Sequence, residues 1–69
     1  MNLTIELGRE DDGRWIATVP EIPGVSKYGQ TRDEAIQAVK VLALQVVADM
    51  LEHGELKTDL DGVQFARAA

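Results

Sequence analysis

The stretch Thr31-Arg32-Asp33-Glu34-Ala35-Ile36, continued to His53 and closed by Gly54, decides the fold. Thr31 offers a hydroxyl to a free backbone N–H of the first turn. Glu34, three residues on, is placed to reach back to the cap's own N–H, which makes a capping box. Asp33 and Glu34 put negative charge at the positive end of the helix dipole. Gly54 accepts the left-handed conformation that commonly ends a helix. One long helix is therefore expected, running to about His53. Ala35, Ile36, Val39, Leu42, Ala43, Val46, Val47 and Met50 fall on one stripe at helical spacing, the face expected to cover a sheet. At about 100° per residue, Val41, Leu44, Ala48 and Leu51 lie on roughly the opposite side. Lys40, Gln45, Asp49 and Glu52 stand between the stripes. A helix apolar on two sides is normally buried on two sides. The second layer is expected from the chain's own tail or from another molecule.

Working outward, the residues before the helix read as strands. Leu3-Thr4-Ile5-Glu6-Leu7 alternates with period two, so Leu3, Ile5 and Leu7 share a face. Asp11-Asp12-Gly13 follows, and Asp-Gly predicts a type I′ hairpin turn with positive φ at both central positions. Arg14 to Val19 is the returning, antiparallel strand, with Trp15, Ala17 and Val19 on one face and Arg14, Ile16 and Thr18 on the other. Pro20 and Pro23 with Gly24 make a turn, because proline cannot donate to a ladder. Val25 to Tyr28 is long enough for a short third strand, broken by Gly29-Gln30. After the helix, residues 55–62 read as a loop and Val63 to Ala66 as a fourth strand at the sheet edge. The expectation is a single α+β domain over residues 1–69, in the order β-β-β-α-β, with an antiparallel sheet packed on one long helix.

Size and composition bound the function. A chain of 69 residues buries only about 60% of the surface its unfolded form exposes. Such domains often lean on disulfides, metals or oligomerisation. There is no cysteine and His53 is the only histidine, which excludes a disulfide framework, a thiolate metal site and a multi-histidine site within one chain. Oligomerisation is the support that remains. Twelve acidic residues against 7 basic ones leave a net charge of −5. Phosphate binding relies on Lys and Arg releasing counterions, so no direct nucleic-acid binding is expected. An acidic surface instead steers toward a basic partner. No apolar run approaches the roughly 20 residues of a membrane span, and the start, Met1-Asn2-Leu3-Thr4, lacks a basic, then apolar, export signal. A cytoplasmic protein that does not enter the membrane is expected.

Candidate chemistry is thin. Glu6 lies mid-strand, Asp11 and Asp12 sit in a turn, and Asp33 and Glu34 serve the helix start. These carboxylates do not converge as two-metal catalysis requires. His53, on the last helical turn, reads as a cap that favours the negative end of the dipole. No nucleophile elbow or phosphate-binding loop is present. Trp15 and Tyr28 have only Arg14 and Lys27 as close basic neighbours in sequence, too few for a single-strand-binding groove. No cofactor and no catalytic residue is expected. Exposed apolar residues on the second stripe would instead mark an interaction site.

The ordered combination of Asp12-Gly13, Trp15, Ala17-Thr18-Val19-Pro20-Glu21-Ile22-Pro23-Gly24, Gly29 and Thr31-Arg32-Asp33-Glu34-Ala35 resembles the HicB antitoxin family, over about residues 3 to 53. The resemblance implies a partial ribonuclease H-like fold of β-β-β-α-β order. It implies an antitoxin that occludes a small basic HicA toxin, a ribonuclease that cleaves mRNA with a histidine. It also implies dimers or tetramers. Many family members carry a C-terminal DNA-binding domain, which is not expected after the fourth strand here. The residues expected at an interface are Val41, Leu44, Ala48 and Leu51 on the helix, with Ile16, Trp15 and Tyr28 on the strands.

Overall fold

The computed structural model describes residues 1–55 and 62–68. The elements are β1 (Asn2–Arg9), β2 (Trp15–Thr18), β3 (Ser26–Gly29), α1 (Arg32–Glu52) and β4 (Gln64–Arg67). The loop expected over residues 55–62 falls mostly on 56–61, outside the described residues. The order is the expected β-β-β-α-β, and α1 packs on one face of a sheet ordered β3-β2-β1-β4. No described helix is long and apolar enough to cross a membrane.

The sheet is mixed rather than wholly antiparallel. β1 pairs antiparallel with β2, and β2 with β3, but β4 runs parallel to β1, with Leu3 opposite Phe65. Two antiparallel steps make β3 run in the direction of β1. A helix about 31 Å long, at 1.5 Å per residue, then returns the chain to the starting end of the sheet. The next strand must run forward again, as in any crossover between parallel strands.

The β1–β2 turn also differs from the expected type I′. Gly13 N donates to Glu10 O at 2.9 Å and Glu10 N to Arg14 O at 2.8 Å. Gly13 has φ of 90°, while no non-glycine residue has positive φ. This is a three-residue loop, a turn followed by a left-handed glycine. Asp12 holds it by accepting from Arg14 N (3.1 Å) and Arg14 Nε (2.7 Å). Those bonds, the backbone one first, lower the Asp12 pKa.

The helix start forms as predicted, with one shift. Glu34 N donates to the Thr31 hydroxyl at 3.1 Å, but the Glu34 carboxylate accepts from Gln30 N at 2.9 Å rather than from the cap residue. His53 is the C-cap and Gly54 follows with φ of 67°.

The core is the contact between the two periodicities. Leu3, Ile5, Ala17 and Val19 from the strands meet Ala35, Ile36, Val39, Ala43 and Val47 from α1, and all are buried. Ile22 and Val25 fold in from the Pro20–Gly24 turn, and Leu42, Val46, Trp15 and Phe65 pack around the edge. Among the described residues no polar or charged side chain is buried.

Candidate functional site

The strand register sorts the side chains onto two faces. Leu7 opposes Ala17 and Arg9 opposes Trp15, so these residues look toward α1. Gly8 opposes Ile16, and Ile16 opposes Tyr28, so these look away from it. No described element covers that second face, on which Ile16 of the inner strand β2 and Tyr28 of the edge strand β3 form a cross-strand pair. Such pairs are the unit that stabilises a sheet. Ile16 is half-buried because it packs over Gly8, where a Cβ would come within 3.2 Å of its Cγ2. Tyr28 is 48% exposed, and the Arg14 guanidinium lies 4.4 Å from its ring centre. Thr18 and Ser26 share a hydroxyl hydrogen bond of 2.9 Å beside them.

Two carboxylates accompany this face, Glu6 on the inner strand β1 and Glu21 beside Thr4. Glu6 is exposed on β1. Glu21 reaches back from the turn to Thr4, accepting from its backbone N at 3.0 Å and from its hydroxyl at 2.7 Å. In the β1–β2 register Thr4 would oppose Pro20, where the ladder has already ended, so Glu21 supplies the missing acceptor. The Thr4 hydroxyl, then its N–H, holds the Glu21 pKa below its ordinary value.

The residues expected at an interface therefore divide. Ile16 and Tyr28 occupy the bare sheet face. Val41, Leu44 and Leu51 are 51%, 47% and 54% exposed on the outer side of α1, and Ala48 is exposed with them. The two groups lie on opposite sides of the molecule, and the tail strand β4 pairs with β1 instead of covering the helix stripe. Trp15 belongs to neither group. It sits on the helix side, packed against the core, with the guanidinium carbons of Arg9 and Arg32 at 5.1 and 5.6 Å from its ring centre. Sequence neighbours suggested only Arg14 and Lys27 as basic company for the aromatics. The fold brings Arg9 and Arg32 from β1 and α1, and the cross-strand register of Arg9 was the available signal.

Among the described residues, no three His, Asp or Glu side chains stand together as a metal cage. His53 Nδ1 lies 2.8 Å from Asp49 O and 3.4 Å from its carboxylate, exposed at the helix end. A cavity of about 410 Å³ opens between α1 and the Pro20–Gly24 turn, lined by Met1, Leu3, Ile22, Val46 and Met50 with Glu21 and Asp49 at its rim.

Comparison with known proteins adds a relative. The chain is similar to UPF0150 protein Ta0767 of Thermoplasma acidophilum. The two are 27% identical over 55 residues, which cover 80% of each chain. No family model matches the sequence, and no solved structure does.

Proposed function

We propose that this chain is a protein-interaction module of the HicB antitoxin type, and that its bare sheet face receives a small, basic, RNA-cleaving partner of the HicA kind. The observation that carries the proposal is the uncovered sheet face, on which the Ile16–Tyr28 pair spans β2 and the edge strand β3, with Glu6 on the neighbouring β1 and Glu21 beside Thr4. Apolar and aromatic anchors beside charged groups are common at protein interfaces. The ordered sequence pattern from Asp12 to Ala35 and the β-β-β-α-β order support the same reading. So does the net charge of −5, which would speed encounter with a basic ribonuclease.

The mechanism is occlusion. The partner's RNA-binding surface is covered, and no bond is made or broken by this chain. Tyr28 supplies a large amphipathic contact, Ile16 an apolar one, and the Glu6 and Glu21 carboxylates meet Lys and Arg of the partner. The test is co-expression with the ribonuclease that co-purifies with the chain. The wild-type chain restores growth and stops RNA cleavage, whereas Ile16→Asp, still folded, does not. Equal protection by Ile16→Asp would contradict the assignment of this face.

A further inference from the structure

The cavity between α1 and the Pro20–Gly24 turn has no part in the bare sheet face. It encloses about 410 Å³, near the lower end of the range of about 300–1,000 Å³ that small-molecule pockets span. Its floor is the core itself, where Leu3, Ile22 and Val47 are buried, and Val46 and Met50 of α1 form a partly buried wall. Glu21, Asp49 and Glu55 line it as well, and all three are exposed, so they form its solvent edge. The Thr4 hydroxyl holds the Glu21 carboxylate at 2.7 Å. Glu55 N donates to Met50 O at 2.8 Å, which keeps Glu55 against the end of α1. Among the described residues, no basic side chain lines the cavity. The Met1 ammonium donates to Gly62 O at 2.7 Å. His53 is not part of the lining, and its Nδ1 lies 3.4 Å from the Asp49 carboxylate.

We infer that this cavity binds a small organic cation, an apolar body that carries one ammonium group. Hydrophobic walls with a few placed polar groups are the common design of a small-molecule site. Here the walls take hydrocarbon, and the sign of the groups at the edge selects a cation. The helix argues the same way. Its C-terminal end is the negative end of the dipole and favours positive charge. Yet the last turn of α1 holds no basic residue, and Asp49, Glu52 and Glu55 add negative charge there. Local rules of this kind are commonly broken at functional sites. An ammonium group at the edge supplies the charge that this end lacks. A bare metal ion does not fit, because among the described residues no three His, Asp or Glu side chains stand together. The cation is therefore held by its apolar body as well as by its charge. The cavity lies on the helix side of the sheet, so the site does not depend on the antitoxin reading.

Hexylammonium is the probe, with hexanol and hexanoate as its neutral and anionic counterparts. Titrating each into the isotope-labelled full chain, followed by NMR, separates apolar fit from charge. Hexylammonium should give saturable shifts at the amides of Ile22, Val46 and Met50. Hexanol should give weaker ones at the same amides, and hexanoate none. Asp49→Asn combined with Glu55→Gln should weaken hexylammonium by about fivefold, the scale of a lost exposed charge contact, and leave hexanol unchanged. Glu21 stays intact in this test because it also holds Thr4. Val46→Phe, which fills the cavity from the helix side, should abolish the response to both probes. The absence of any saturable response to hexylammonium would overturn the inference. So would equal binding of hexanoate, or hexylammonium binding unchanged in the Asp49→Asn, Glu55→Gln chain. Shifts confined to Tyr28 or to Leu44 would place the binding elsewhere and overturn it too.

Discussion

A Cβ on Gly29 would lie 2.9 Å from the Cα of Ala35. The last residue of β3 and the first turn of α1 are in backbone contact, and only hydrogen fits between them. Gly29 has no positive φ, so its role is close approach and not backbone freedom. The contact sets how α1 leaves the sheet. It thereby sets which helix stripe covers the core and which is left outside.

Gly29→Ala should therefore push the helix start off the sheet. Overpacking of this kind costs about 1–3 kcal/mol. Thermal denaturation should show a clearly lower midpoint. Gly62→Ala, where an added Cβ meets nothing within 4 Å, should change it little by comparison.

Leu3 is 2% exposed at the centre of the core. Leu3→Ala should cost about 2–5 kcal/mol, the range for a buried leucine truncated to alanine. In a domain of this size that is a large share of the total stability. Urea unfolding followed by Trp15 fluorescence measures it.

Thr31→Ala removes the hydroxyl that accepts from Glu34 N and should cost about 1 kcal/mol. Thr31→Ser should restore most of the loss. The same urea titration separates the two variants.

Acid stability should reflect Glu21. Its folded-state pKa is below the ordinary 4.5 because the Thr4 hydroxyl and N–H donate to its carboxylate. A lowered folded pKa gives stabilisation that is complete above the unfolded value and is lost as pH falls through the folded one. Asp12, lowered by Arg14, acts in the same sense. Unfolding midpoints measured from neutral pH downward should fall below about pH 4.5, within the ordinary carboxylate range. Glu21→Gln should give a shallower acid limb.

Much of the fold was legible because each element announces itself locally. Thr31, Glu34 and Gly54 marked the ends of α1, and period-two alternation placed Leu3 and Ile5 on the buried face of β1. Local patterns failed where the outcome depends on two elements at once. The direction of β4 follows from counting strand reversals through the crossover, not from Val63 to Ala66. The hairpin departed from type I′ because the Glu10 N to Arg14 O bond, one step beyond the Arg9–Trp15 pair, leaves three residues in the loop, so only Gly13 need be left-handed. The residues expected at an interface were legible as apolar or aromatic, but not as two separate surfaces. Periodicity shows that Ile16 and Trp15 face opposite ways, yet only the packed helix shows which way is covered.

A partner pull-down run in parallel from three baits, the wild-type chain, Ile16→Asp and Leu44→Glu, decides whether the bare sheet face receives a ribonuclease. The wild type should retain a small basic protein whose RNA cleavage it inhibits, Ile16→Asp should lose that protein, and Leu44→Glu should keep it. Retention by folded Ile16→Asp, or the absence of any RNA-cleaving partner from cells shown to express one, would contradict that assignment.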